Sequence, residues 1–102
     1  MAGIQKTINR SGFDLNFWSV TDCKFNANTD KVVAVLSGYK DRDTWDASPA
    51  LCFKGGEITK VFRLSDYDGS NFILWIYGKC LEPQLNASQE DTNIFKDGVF
   101  VA

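Results

Sequence analysis

Asn71-Phe72-Ile73-Leu74-Trp75-Ile76-Tyr77-Gly78-Lys79-Cys80-Leu81 is the stretch whose reading decides the fold class. Six apolar residues follow one another from Phe72 to Tyr77, and a run that short suits an embedded helix as well as a buried strand. The β-branched Ile73 and Ile76 favour the strand, and Gly78 is a poor helix former. Against them, Ile73, Ile76, Tyr77, Cys80 and Leu81 recur at i, i+3, i+4, i+7 and i+8, the spacing of one helical face. Ser70 or Asp68 stands where a cap would begin the helix. The spacing predicts a helix over 70–81 and an α+β domain, mostly antiparallel β, as a sandwich or small barrel-like sheet. A strand at the same place makes the fold all-β.

Upstream, Phe13, Leu15 and Phe17 alternate with Asp14 and Asn16, the period of a half-buried strand. Trp18 and Val20 then fall on the other face. That predicts a bulge near Trp18 or a second element covering that face. Asn26-Ala27-Asn28-Thr29-Asp30 is turn chemistry. Lys31 to Tyr39 follows as a β-branched, almost continuously apolar strand, read as central and buried on both faces. Gly55-Gly56 supplies a tight turn and predicts a hairpin between Ala50–Phe53 and Glu57–Leu64. In its second arm Lys60 interrupts the apolar face of Ile58, Phe62 and Leu64, and must snorkel or sit at an edge. Beyond Pro83 a polar stretch to Asn93 reads as a loop, and Ile94 to Val101 as a turn feeding a terminal strand.

With 102 residues, the chain is long enough for one core and reads as a single domain, 1–102. Its 13 acids against 11 bases lack the basic face that phosphate binding needs, so no nucleic-acid partner is expected. The absence of histidine removes the commonest general base and metal ligand. No apolar run suits a signal peptide or a membrane span, which predicts a protein that stays in the cytoplasm where it is made, with no membrane partner. Cys23, Cys52 and Cys80 are odd in number and widely spaced, fitting free thiols better than a disulfide framework or a zinc site.

Candidate chemistry is thin. Asp66-Tyr67-Asp68-Gly69-Ser70 has a calcium loop's alternation, but its glycine comes two positions early and Tyr77 stands where the bidentate glutamate belongs. It reads as a turn and helix cap. Asp41, Asp43 and Asp46 are interleaved with Lys40 and Arg42, which makes Lys40–Pro49 a solvated, charge-mixed loop. Trp45 lies in it with no apolar partner among its polar neighbours. That nominates Trp45, together with Asp41, Arg42, Asp43 and Asp46, as a partner-binding surface; the other reading folds the indole back onto the sheet. No catalytic residue, cofactor or metal ligand is assigned, and no enzyme is expected.

The order of features has a family likeness. Ser11-Gly12-Phe13-Asp14-Leu15-Asn16-Phe17-Trp18, the apolar strand ending in Gly38-Tyr39-Lys40-Asp41-Arg42-Asp43, the helix-like segment with Tyr77 and Leu81, and the closing Phe95-Lys96-Asp97-Gly98 resemble short proteins from the structural modules of tailed bacteriophages and prophages. The resemblance implies a non-enzymatic virion protein, assembled in the host cytoplasm into a tail, baseplate or connector. Its partners would be other virion proteins and copies of itself, as a homo-oligomer. A carbohydrate-binding surface module using Trp45 is the alternative.

Overall fold

The computed structural model describes residues 2–102. Strand β1 (Gly3–Arg10) turns into β2 (Phe13–Asn26) through Ser11 and Gly12, with φ of 53° and 86°. Two left-handed residues in succession make the kind of two-residue turn whose twist matches the flanking strands, and glycine takes its place there without strain. The Asn26–Asp30 turn then leads into β3 (Lys31–Tyr39), and β4 (Ile58–Arg63) pairs on the far side of β3. With β5 (Val99–Val101) against β1, the sheet is antiparallel throughout, in the order β4-β3-β2-β1-β5. The fold is α+β and mostly β. It is one open sheet, and its partner layers are helices rather than a second sheet.

Segment 70–81 is helical: α2 spans Phe72–Leu81. Asn71 caps it, its side-chain oxygen accepting the Leu74 N–H at 3.2 Å, while Asp68 shapes the preceding turn by accepting the Ser70 N–H at 2.9 Å. The buried face is Trp75, Ile76, Tyr77 and Cys80. Ile73, expected on that face, points outward. Trp75 takes the inward place because Phe62 and Tyr67 offer it rings at 6.2 and 5.4 Å. Gly78 faces open space, and a methyl group there would meet nothing within 4 Å. Gly78→Ala is therefore expected to stabilise the protein by about 0.5–1 kcal/mol, the cost of mid-helix glycine, read as a raised urea midpoint.

The principal core lies between the sheet and α2, where Ile4, Trp18, Val32, Ala34, Leu36, Ile76 and Phe95 are sealed from water. A register shift in β1 between Gln5 and Ile8 sets Lys6 and Thr7 against Asn16. The alternation in β2 breaks at this point, so that Leu15 and Trp18 enter the same cluster and Phe17 enters another. Trp18 donates its indole N–H to the carbonyls of Lys6 at 3.1 Å and Leu15 at 3.3 Å, satisfying backbone at the irregularity. Both faces near Trp18 are covered, which removes the conflict posed by adjacent Phe17 and Trp18. Gly38 faces Trp18 across the strand pair; a Cβ there would lie 2.7 Å from the indole.

Two segments differ from the sequence reading. Lys40–Pro49 is not an exposed loop: Arg42–Ala47 forms α1, and a 3-10 turn follows at Pro49–Leu51. The Gly55-Gly56 hairpin does not form either. Gly55 does turn the chain, at φ 82°, but β4 pairs with β3, and Phe53 donates its N–H to the Gly38 carbonyl at 2.9 Å. The edge of β3 offers β4 a long ladder, whereas the short arm before Gly55 gives up Ala50 and Leu51 to the 3-10 turn that begins at Pro49.

Lys60 resolves as an inward-pointing cation on the edge strand β4, a device that discourages edge-to-edge pairing. Its ammonium donates to Asn93 Oδ1 at 2.8 Å and Gln84 Oε1 at 3.2 Å, over the face of Phe95. Asn93, also buried, donates from Nδ2 to the carbonyls of Cys80 and Glu82 at 2.7 and 2.8 Å, and its Oδ1 accepts the Phe95 N–H at 3.2 Å. One amide thus joins β4, the end of α2 and the loop before β5. All three cysteines are free, and burial pushes the Cys80 thiol up to about 12.

Candidate interaction surface

The five residues singled out from the sequence cluster on and beside α1. Asp41 caps the helix: Oδ1 accepts from the Thr44 N–H and from Thr44 Oγ1, both at 2.8 Å, and these bonds hold its carboxyl below the usual range. Arg42 donates to the Ala102 carbonyl at 2.8 Å and lies 3.9 Å from Asp46. Asp43 is an exposed acid in the first turn. Trp45 is the correction, for its ring packs 5.7 Å from Phe17, beside Tyr39, and only 8% of the residue is exposed. A short polar helix with one large apolar side chain folds down where Phe17 and Tyr39 leave the second sheet face needing cover. The indole is spent inside the molecule, and a ring so enclosed has no face on which a sugar could stack.

Tyr77 shows how α2 is tied to the sheet. β1 pairs with β2 only as far as Ile4 and Trp18. Just beyond, the Tyr77 hydroxyl accepts the Val20 N–H at 2.8 Å and donates to the Ala2 carbonyl at 3.1 Å, bridging the two chains where the ladder stops. Tyr77→Phe is expected to cost about 1–2 kcal/mol, because both backbone groups lose a partner in a partly buried place. The urea midpoint should fall with an unchanged slope; a changed slope would mean that α2 had detached.

The residues that sequence reading missed are two exposed apolar patches, one toward each end of β2. At the first, Phe13 is 58% exposed and meets Phe53 at 5.1 Å, with Leu51 beside them. They line a groove of about 450 Å³ that also contains Asp14, Lys40 and Lys54. At the second, Phe25 is 67% exposed and meets Phe72 edge-on at 5.9 Å, followed on α2 by the outward Ile73 and Leu74. Phe72 in turn stacks on Trp75 at 5.8 Å and meets Tyr67 at 5.1 Å. Leu74 borders a groove of about 430 Å³ with Asp66, Asp68, Lys79 and Glu82.

Rings held by other rings are rigid, so such patches offer contact area at little entropic cost. One sequence signal pointed to the second patch. Six consecutive apolar residues, Phe72 to Tyr77, span more than one helical turn, so they cannot all face a sheet on one side. Nothing comparable marks Phe13, whose alternation with Asp14 and Leu15 is that of an inward residue. No protein-family model, curated protein or solved structure matches this chain, and its surfaces are what a functional reading has to rest on.

Proposed function

We propose that the protein is a non-enzymatic structural subunit of a tailed-phage particle, in its tail, baseplate or connector, acting through contact with other virion proteins and with copies of itself. The observation that carries the assembly role is the pair of rigid, aromatic-anchored patches at the two ends of β2. Soluble monomers seldom leave large apolar side chains clustered and exposed, and such clusters mark surfaces that another protein covers. The open sheet suits the same role at β5, which presents an outer edge, while the inward Lys60 guards the edge of β4. Polar groups that could have served chemistry are engaged in holding the fold: Asp41 caps α1, Asp30 pins Ser65, and Asn93 gathers three segments. The phage assignment itself rests on the resemblance in residue order along the chain. The carbohydrate alternative has lost its anchor with Trp45 enclosed.

Mass spectrometry of tailed particles purified from cells that carry the gene tests this reading. Recovery of the chain at a fixed stoichiometry, with defective particles when the gene is deleted, is the expected result. Intact, infectious particles made without the chain would overturn it.

A further inference from the structure

The two patches differ in charge. The groove at Phe13, Leu51 and Phe53 sets Lys40 and Lys54 against Asp14, and Asp14 is already engaged, accepting from Asn9 Nδ2 at 3.0 Å. Arg10 sits opposite Phe13 in the β1–β2 pair and adds a further cation at that end, with Glu57 nearby, its carbonyl accepting from the guanidinium at 3.3 Å. The groove at Leu74 has the reverse balance: Asp66, Asp68 and Glu82 face Lys79, which is itself paired with Glu82 at 3.3 Å. Asp68 is held in its charged form by hydrogen bonds from Ser70. The groove at Phe13 is therefore apolar with a basic excess, and the groove beside Leu74, between α2 and the loop before it, has an acidic excess.

The geometry points to head-to-tail self-association, in which the Ile73–Leu74 turn of one copy enters the Phe13, Leu51 and Phe53 groove of the next, with Asp66 and Asp68 meeting Lys40 and Lys54. This deepens the assembly reading above and rests on it. Two unlike patches on one chain make a heterologous contact, which repeats into a ring or a filament instead of closing on itself in a pair. Complementary charge sets the orientation, because like ends repel. A second copy is the occupant because this chain carries both halves of the fit.

Sedimentation velocity across a concentration series tests it. The wild type is expected to grow past the dimer as concentration rises, less so at high salt. Phe13→Asp and Leu74→Asp alter exposed positions, so circular dichroism should show both folded; each alone is expected to stay monomeric. Mixed in equal amounts they should form dimers and stop there, since only one live head and one live tail remain per pair. As a check that leaves the apolar contacts untouched, Lys54→Glu should weaken association about tenfold, and Asp68→Lys in the same chain should restore it. A wild type that is monomeric throughout or stops at a dimer, a mixture of the two variants that stays monomeric, or a double swap that fails to restore would each overturn head-to-tail contact. A monomer found in particles would remove this inference and leave the virion reading standing. An oligomer absent from particles would do the reverse.

Discussion

Asn93→Ala is expected to destabilise the protein by about 3–5 kcal/mol, a large part of what a domain of this size possesses. The side chain is small, but its removal strips four partners at once. The Cys80 and Glu82 carbonyls lose their donor, the Phe95 N–H loses its acceptor, and the Lys60 ammonium loses its nearest oxygen. Lys60 would keep only the Gln84 oxygen at 3.2 Å and the Phe95 ring, and a buried cation stripped of its best partner costs more than the bond that held it was worth.

The signature of this cause is its pH dependence. Burial holds the Lys60 pKa below its ordinary 10.5, opposed by Cys80 and Asp91. Between that lowered value and 10.5, the unfolded chain binds more protons at Lys60 than the folded one, so the contribution of Lys60 to stability rises with pH across the interval. Loss of the Asn93 oxygen lowers the folded pKa further and extends the interval downward. The variant should therefore recover part of its deficit in alkaline buffer, and urea midpoints of both proteins from neutral pH upward measure this. A deficit that stays constant with pH would place the damage in the lost backbone partners and acquit Lys60.

Trp18→Ala is expected to cost about 3–5 kcal/mol, the range for emptying a large aromatic site, and to lower the melting temperature by about 15–30 °C. Trp18 is fully buried, with the Phe95 ring edge-on at 5.9 Å and Gly38 opposite. Because Gly38 has no side chain to swing into the void, the site collapses poorly. Trp18→Phe separates packing from hydrogen bonding. It keeps most of the ring contact and abandons the carbonyls of Lys6 and Leu15, for a cost of about 1–2 kcal/mol. A Phe variant as unstable as the Ala variant would mean that the indole N–H, more than the ring, holds the β1 irregularity in place.

The helix–strand choice at 70–81 was legible because five apolar side chains kept helical spacing, and that spacing outweighed the β-branched residues and Gly78. Its orientation was not legible. Whether Ile73 or Trp75 faces inward depends on Phe62 and Tyr67, whose place over the helix is set by how β4 and the turn after it fold back, and no spacing within α2 carries that. α1 was invisible for a related reason, since a six-residue helix with one large apolar side chain has no period to detect. Its start did carry a signal in Asp41 and Thr44, a cap and its recipient. Lys60 stands out in the sequence as a cation on an apolar face. Its partners, Gln84 and Asn93, lie in a polar stretch that reads as loop, and only the fold brings them together. The candidate partner residues around α1 do share a surface, but Trp45 went to the interior because exposure is decided by what lies opposite, here Phe17 and Tyr39.

The strand order carries a consequence for how the molecule forms. β1, β2, β3 and β4 pair with neighbours in sequence, so most of the sheet can zip together through contacts of modest chain separation. β5 is different: Gly3 pairs with Val101, and nearly the whole chain must be gathered before those two can meet. That closure carries the largest loop entropy for the fewest bonds, which makes the β1–β5 seam the last part of the sheet to form and the first to open.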